Sequence, residues 1–257
     1  MPLRPVILRF DSLASTNTEA ARKAGEGAAE GVCIVAREQW SGRGRQQRTW
    51  ISPPDAGLYF SIILRPRLDI SRWPLMALMA AVAVADALAE ACALVVDIKW
   101  PNDIQGGERK LGGILAEVVE TPQGRACIVG IGLNLKESAL PLELRETATS
   151  VETLTGAAPD VERLLQSLVR ALDSRYRLLE ETGGTERIIE EWTARSSFAH
   201  GKQVRATLDT ETIEGVTRGL EADGALRVET GAGEIKIIRA GDVIAVRPQL
   251  RGGSEAL

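Results

Sequence analysis

Apolar residues alternate or cluster in short stretches at 6–10, 31–36 and 58–64, the length and pattern of strands buried in a sheet. Between the first two, Thr16 followed by Glu19 has capping-box spacing. It predicts an Ala-rich helix over 17–24 whose first turn exposes backbone donors. The stretch 73–92 is apolar almost all round and predicts a buried helix. Its uninterrupted part, 73–85, spans 13 residues before Asp86, short of the ~18 to 20 needed to cross a bilayer. Strand patterns recur at 94–99, 111–119 and 126–135, joined by turns at Gly107 and at Pro122-Gln123-Gly124, which predicts an antiparallel region. Val161, Leu164, Leu165, Leu168, Val169, Leu172, Tyr176 and Leu179 repeat at helical spacing, predicting an amphipathic helix across one face of that sheet. A shorter helix is expected over 185–194.

From Gly201 the pattern changes to brief strand-like runs at 204–208, 212–220, 225–229, 235–239 and 243–247, separated by Gly- and Asp-containing turns. The chain therefore divides into a mixed α+β unit over 1–198, a small all-β barrel over 199–249 and a frayed tail over 250–257.

Composition narrows the function classes. Thirty-one basic against 35 acidic residues give a net charge of −4, so no global field draws the chain onto nucleic acid or an anionic membrane, and any anion site must be local. The barrel carries seven Lys/Arg and eight Asp/Glu, without the basic stripe of a nucleic-acid-binding barrel. Cys33, Cys92 and Cys127 stand far apart, suggesting neither a disulfide framework nor a thiolate zinc site and fitting a reducing cytoplasm. The start of the chain has no apolar run of signal-peptide length. His200 is the only histidine, which eliminates sites needing two imidazoles; it reads as structural.

Four segments carry candidate chemistry. Gly42-Arg43-Gly44-Arg45-Gln46-Gln47-Arg48-Thr49-Trp50 holds three guanidiniums within a short stretch beside an indole. Its glycines let the backbone bend and approach an anion, and its arginines offer bidentate donors. It matches neither the P-loop nor the dinucleotide-binding spacing. Lys99-Trp100-Pro101-Asn102-Asp103 puts a cation, a rigid bend and a carboxylate where a strand ends. Lys110-Leu111-Gly112-Gly113-Ile114-Leu115-Ala116-Glu117 opens a strand with a lysine, and its glycines leave room for a ligand against the backbone or mark a bulge. Gly130-Ile131-Gly132-Leu133-Asn134-Leu135 is a further glycine-bearing strand ending in an amide.

In this order the four segments resemble the biotin protein ligase family over essentially the whole chain. The resemblance implies a mixed-sheet catalytic domain similar to class II aminoacyl-tRNA synthetases and lipoate ligases, followed by an SH3-like barrel. It implies that biotin and ATP, with Mg²⁺, give biotinyl-5′-adenylate, and that a lysine of a biotin carboxyl carrier protein domain then attacks, releasing AMP.

By the same resemblance Ser15, Thr16, Asn17 and Gln39 meet the ureido ring of biotin, and Gly42, Arg43, Gly44 and Arg45 line the acyl-adenylate. Arg48 contacts the phosphates, and Trp50 packs beside the adenine. Lys110 sits between the biotin carboxylate and the α-phosphate. Asp103 is the matching carboxylate, near the metal or the incoming lysine. Asn102 and Asn134 face the nucleotide, and Gly112 and Gly113 let substrate approach the strand.

The hairpin begins at Gly42, leaving no room ahead of it for the DNA-binding winged helix of bifunctional members, so a DNA partner is not expected. Family members can dimerise through the catalytic sheet, which keeps a homodimer open. A lipoate or octanoate transferase on the same scaffold and an RNA-binding protein are the competing readings. The Arg-rich loop weighs against the first, the charge balance against the second.

Overall fold

The computed structural model describes residues 3–208 and 211–246 of the 257. Strands β1 (Val6–Leu13), β2 (Val32–Gln39), β3 (Gly57–Leu64), β4 (Asp97–Lys99), β5 (Asp103–Gly106), β6 (Arg109–Thr121) and β7 (Gly124–Asn134) form one sheet in the order β1-β2-β3-β7-β6-β5-β4. β1 and β2 run parallel and are joined by helix α1 (Thr16–Gly25). The remaining pairings in this sheet are antiparallel; the short turns predict this for β4 to β7, whereas the β2–β3 and β3–β7 pairings are not joined by such turns.

Side chains alternate across a strand, so each strand feeds two layers. On β7, Cys127, Val129, Ile131 and Leu133 enter the main core beneath helix α2 (Leu75–Cys92). Ala126 and Ile128 point the other way, into a smaller cluster with Ala20 and Ala24 of α1. Those small α1 residues let the helix lie close to the sheet, which fixes where its N-terminus comes to rest.

α2 is 18 residues long, enough in length to span a membrane, yet its apolar residues from Leu75 to Leu88 are mostly buried in the core. Its Asp86 pairs with Arg175 at 2.7 Å and Arg195 at 3.2 Å. It is the central helix of a packed layer. The amphipathic helix expected on the sheet, α4 (Val161–Glu180), instead packs chiefly on α2 and α5 (Gly184–Ala194). α2 already occupies that face, and the apolar stripe of α4 covers it from outside. A four-residue strand, β5, and a short helix, α3 (Val151–Thr155), are absent from the sequence prediction.

The second sheet comprises β8 (His200–Thr207), β9 (Thr212–Leu220), β10 (Leu226–Thr230), β11 (Ile235–Ile238) and β12 (Asp242–Ala245), antiparallel in the order β11-β10-β9-β8-β12. Val204, Ala206, Leu226 and Val228 join the same apolar cluster as α2. Trp100 Nε1 donates to Gly224 O at 2.9 Å, buried between the two sheets. A mixed sheet with helices plus a small barrel-like sheet is the arrangement the resemblance implies. The expected tail and the chain beyond residue 246 lie outside the described residues.

Candidate active site

A cavity of about 790 Å³ opens between the N-terminus of α1, the hairpin after β2, the ends of β4 to β6, and β12. Its floor follows from strand periodicity. Gly130 and Gly132 of β7 lie on the α1 face, and Gly113 of β6 pairs with Gly132. A Cβ on Gly130 would lie 2.0 Å from Asn17 Oδ1, and one on Gly132 would lie 2.6 Å from the Trp50 ring. At Gly113 a Cβ would meet Trp50 and Lys110 at ordinary contact, 3.5 Å.

At one end stand buried Ser15, Thr16 and Asn17. Ser15 is the N-cap residue, but its side chain makes no capping bond. Gln39 does that work: its Oε1 accepts from Thr16 N at 2.8 Å and Thr16 Oγ1 at 3.1 Å, while Nε2 donates to Ser52 Oγ at 2.8 Å. The predicted capping box is therefore not formed, and Glu19 pairs with Arg22 instead. The Ser61 hydroxyl lies 2.8 Å from Thr16 Oγ1 and 2.6 Å from Asn17 Oδ1. Asn17 Nδ2 donates to Leu115 O at 3.2 Å and to Glu117 Oε2 at 2.7 Å.

The hairpin is closed by Gly44 N to Arg48 O at 2.7 Å and Trp50 N to Gly42 O at 2.9 Å. Contrary to expectation, glycines do not make its bend. Gln46 (φ 53°) and Gln47 (φ 60°) adopt the left-handed conformation, whereas Gly44 has φ −111°. Gly42 is needed for close approach, since a Cβ there would lie 2.3 Å from Trp50 O, and it does not line the cavity. The arginines fan outward from the hairpin. Arg43 meets Glu117 at 2.8 Å. Arg45 reaches Asn102 Oδ1 and Gly241 O at 3.4 Å each, and Arg48 pairs with Asp242 of β12.

At the opposite end, Lys110 Nζ lies 2.6 Å from Asp103 Oδ1, and Lys99 Nζ 3.7 Å from Asp103 Oδ2. Strand register places Asp103 opposite Lys99 across β4 and β5 and opposite Gly113 across β5 and β6; Lys110 itself pairs with Gln105 beyond a register shift, and its side chain lies over Gly113. The backbone of Lys110 is fixed to Thr147 O and Thr149 N at 2.8 and 2.9 Å. Its ammonium lies 5.6 Å from the Trp50 ring centroid, within cation–π range. Asn102 Nδ2 donates to Ile114 O at 2.8 Å, and Asn134 Nδ2 to Thr149 O at 3.1 Å.

Arg43, Arg45, Arg48, Lys99, Arg109 and Lys110 line the cavity against Asp103, Glu108, Glu146 and Asp242, six cations to four anions. The site is basic within an acidic chain. Burial works against the Arg45 charge and pulls its pKa down; Asp242 and Asp103 oppose that pull and Arg48 reinforces it. An incoming anion would relieve the same penalty. Trp50 Nε1 is buried and has no hydrogen-bond partner.

Most of the expected residues converge. Ser15, Thr16, Asn17, Gln39, Arg43, Gly44, Arg45, Arg48, Trp50, Asn102, Asp103, Lys110, Gly113 and Asn134 all line one cavity. Gly42 and Gly112 do not. Gly112 pairs with Leu133 on the α2 face, where a Cβ would lie 2.5 Å from the Leu133 side chain; it serves packing, not substrate approach.

Two family models match the chain: the biotin/lipoate A/B protein ligase family over residues 9–134, and the biotin protein ligase C-terminal domain over residues 199–245. The bifunctional ligase/repressor BirA of Bacillus subtilis is 35% identical over 237 residues, which cover 91% of this chain and 72% of that one. The biotin–[acetyl-CoA-carboxylase] ligase of Paracoccus denitrificans is 35% identical, covering 89% of this chain and 96% of its own. This chain belongs to the biotin protein ligase family. The biotin protein ligase of Aquifex aeolicus, solved with biotin and ATP, superposes with a TM-score of 0.82 at 27% identity, over 95% of this chain and 100% of that one.

The cavity and its supports also draw on residues that the motifs did not single out. Ser61 is a small hydroxyl residue in an otherwise apolar and aromatic run, and its polarity was the available signal. Asp242, Val243 and Ile244 come from the barrel, and nothing local marks them. Among the described residues no three His, Cys, Asp or Glu side chains form a metal cluster. Both Asp103 oxygens face lysines, so this donor set does not fit a protein-held Mg²⁺.

Proposed function

We propose that this chain is an ATP-dependent ligase that joins biotin to AMP and then to a lysine of a biotin carboxyl carrier domain. The observation that carries the reading is the polarity of one cavity. Neutral donors and acceptors gather at the α1 end, cations at the other, and a glycine floor runs between them. A ureido ring has two N–H donors and one carbonyl acceptor, matched by Ser15, Thr16, Asn17 and Gln39. Gln39 and Thr16 satisfy each other in the free protein, so exchange with a ureido group replaces hydrogen bonds rather than losing them.

The valeryl chain of biotin runs over Gly130 and Gly132, which puts its carboxylate at the lysine end. There Lys110 and Arg45 neutralise the carboxylate and the α-phosphate as one carboxylate oxygen attacks phosphorus and the bond to pyrophosphate breaks. Bringing two anions together is the main obstacle, and fixed cations lower it without reorganising. Mg²⁺ enters with ATP as part of the substrate. Asp103 holds the Lys110 ammonium in place, Arg48 meets the outer phosphates, and Trp50 and Asn134 receive the nucleotide. In the second step a neutral lysine amine attacks the acyl carbon, the amide forms and AMP leaves.

Incubating the protein with biotin, MgATP and a biotin carboxyl carrier domain, then weighing the products by mass spectrometry, tests the reading. Biotinyl-5′-adenylate without carrier, and one biotin amide with it, are expected. The absence of both products contradicts it.

A further inference from the structure

Glu117 lies on β6 outside the cavity lining, yet its carboxylate joins two segments that enclose the cavity's α1 end. Glu117 Oε2 accepts from Asn17 Nδ2 at 2.7 Å and from Arg43 at 2.8 Å. Asn17 opens the helix after β1; Arg43 opens the hairpin after β2. No other described side chain bonds both.

The Asn17 amide has each end committed: its oxygen to Ser61, its nitrogen to Leu115 O and Glu117. It is 4% exposed and lies directly over Gly130. The Arg43–Glu117 pair, by contrast, is partly exposed, at 42% and 31%. A pair so exposed contributes little to global stability, which leaves orientation of the hairpin as its effect.

We propose that Glu117 is a positioning residue for ligand retention: by tying Arg43 of the hairpin to Asn17 of α1, it closes the biotin end of the cavity and slows release of biotin and its adenylate. This rests on the reading of the cavity as a biotin site. The carboxylate works through its two partners and does not touch the reacting atoms. Glu117→Gln keeps an acceptor for Asn17 but removes the charge that holds Arg43, so it isolates the hairpin contact.

Biotin binding by calorimetry and adenylate release by stopped flow are measured for the intact chain, for Glu117→Gln, for Arg43→Met and for the double variant, alongside thermal melts. Each single change should weaken biotin binding and speed adenylate release by about 5- to 10-fold, with melting temperature unchanged; the double variant should lose no more than either alone, because contacting residues are non-additive. A Glu117→Gln protein that binds and releases within twofold of the unmodified chain, or losses that multiply in the double variant, overturns the assignment. Should Glu117→Gln melt early, Arg43→Met reports the same contact from the hairpin side: normal release there also overturns it. An unmodified chain that binds no biotin refutes the cavity reading itself, and this inference with it; normal binding with an indifferent Glu117 refutes only the inference.

Discussion

Lys110 Nζ and Asp103 Oδ1 lie 2.6 Å apart, and the pair fixes an ammonium where β5 and β6 meet. Asp103 also faces Lys99, so one carboxylate orients two cations beside the hairpin arginines. An acyl-adenylate forms only if two anions approach, and a cation held rigidly offsets their repulsion better than a mobile one.

Asp103→Asn should therefore reduce adenylation through geometry rather than affinity. With the carboxylate gone, Lys110 loses its anchor and the two ammoniums repel. A fall of roughly 10- to 100-fold in kcat is expected, with biotin binding in the absence of ATP unchanged. Steady-state kinetics beside calorimetry checks this; a change confined to biotin affinity would contradict it.

The glycine floor gives a second test. Gly130→Ala puts a methyl 2.0 Å from Asn17 Oδ1, and Gly132→Ala puts one 2.6 Å from Trp50. Overpacking of this kind costs about 1–3 kcal/mol, and the strain falls on different ligands. Gly130→Ala should weaken biotin binding, whereas Gly132→Ala should raise the KM for ATP by displacing the indole. Separate titrations of biotin and ATP distinguish the two.

The hairpin's bend rests on Gln46 and Gln47 in the left-handed region, a conformation that costs a non-glycine residue about 1–2 kcal/mol. Gln47→Gly relieves that strain and should leave the melting temperature equal or higher. Gln47→Val adds a β-branched side chain to the same conformation and should lower it. Calorimetric melts of the two variants decide, and equal effects would argue against the strain.

Cys33 and Cys127 are deeply buried, and burial pushes both thiols up to about 12. Burial raises Cys92 as well. A raised thiol pKa leaves little thiolate at pH 8, so iodoacetamide should label the folded protein slowly and the unfolded protein fast. Rapid labelling of the folded chain, or loss of activity in step with it, would contradict this.

Much of this arrangement was legible in the sequence, because strong local signals agreed with the fold. The runs that became β2, β3, β6 and β7 face two apolar layers, and a strand buried on both faces reads as a nearly continuous apolar run that its length and flanking turns mark as a strand. The four motifs were legible because their spacing is unusual. What stayed hidden was settled by tertiary contact. Thr16 and Glu19 have the capping-box spacing, but Gln39, more than 20 residues away, supplies the capping oxygen. Gly112 and Gly113 are adjacent in sequence and so face opposite sides of the sheet; only strand register shows which side lines the cavity. α4 looked like a helix for the sheet because its stripe is strong, and a stripe does not reveal what it covers. Asp242 reaches the hairpin from the far end of the chain, and no local pattern predicts such a contact.

Under the proposed function, fixed cations at the mouth of β6 let biotin join AMP. Biotin-dependent exchange of labelled pyrophosphate into ATP, measured for the unmodified chain and for Lys110→Ala, tests it most directly. The unmodified chain should exchange only when biotin is added, poorly with lipoate in its place, and Lys110→Ala should lose about 100-fold or more while still binding biotin. Exchange that ignores biotin, or a Lys110→Ala protein that exchanges at a near-normal rate, would contradict the account.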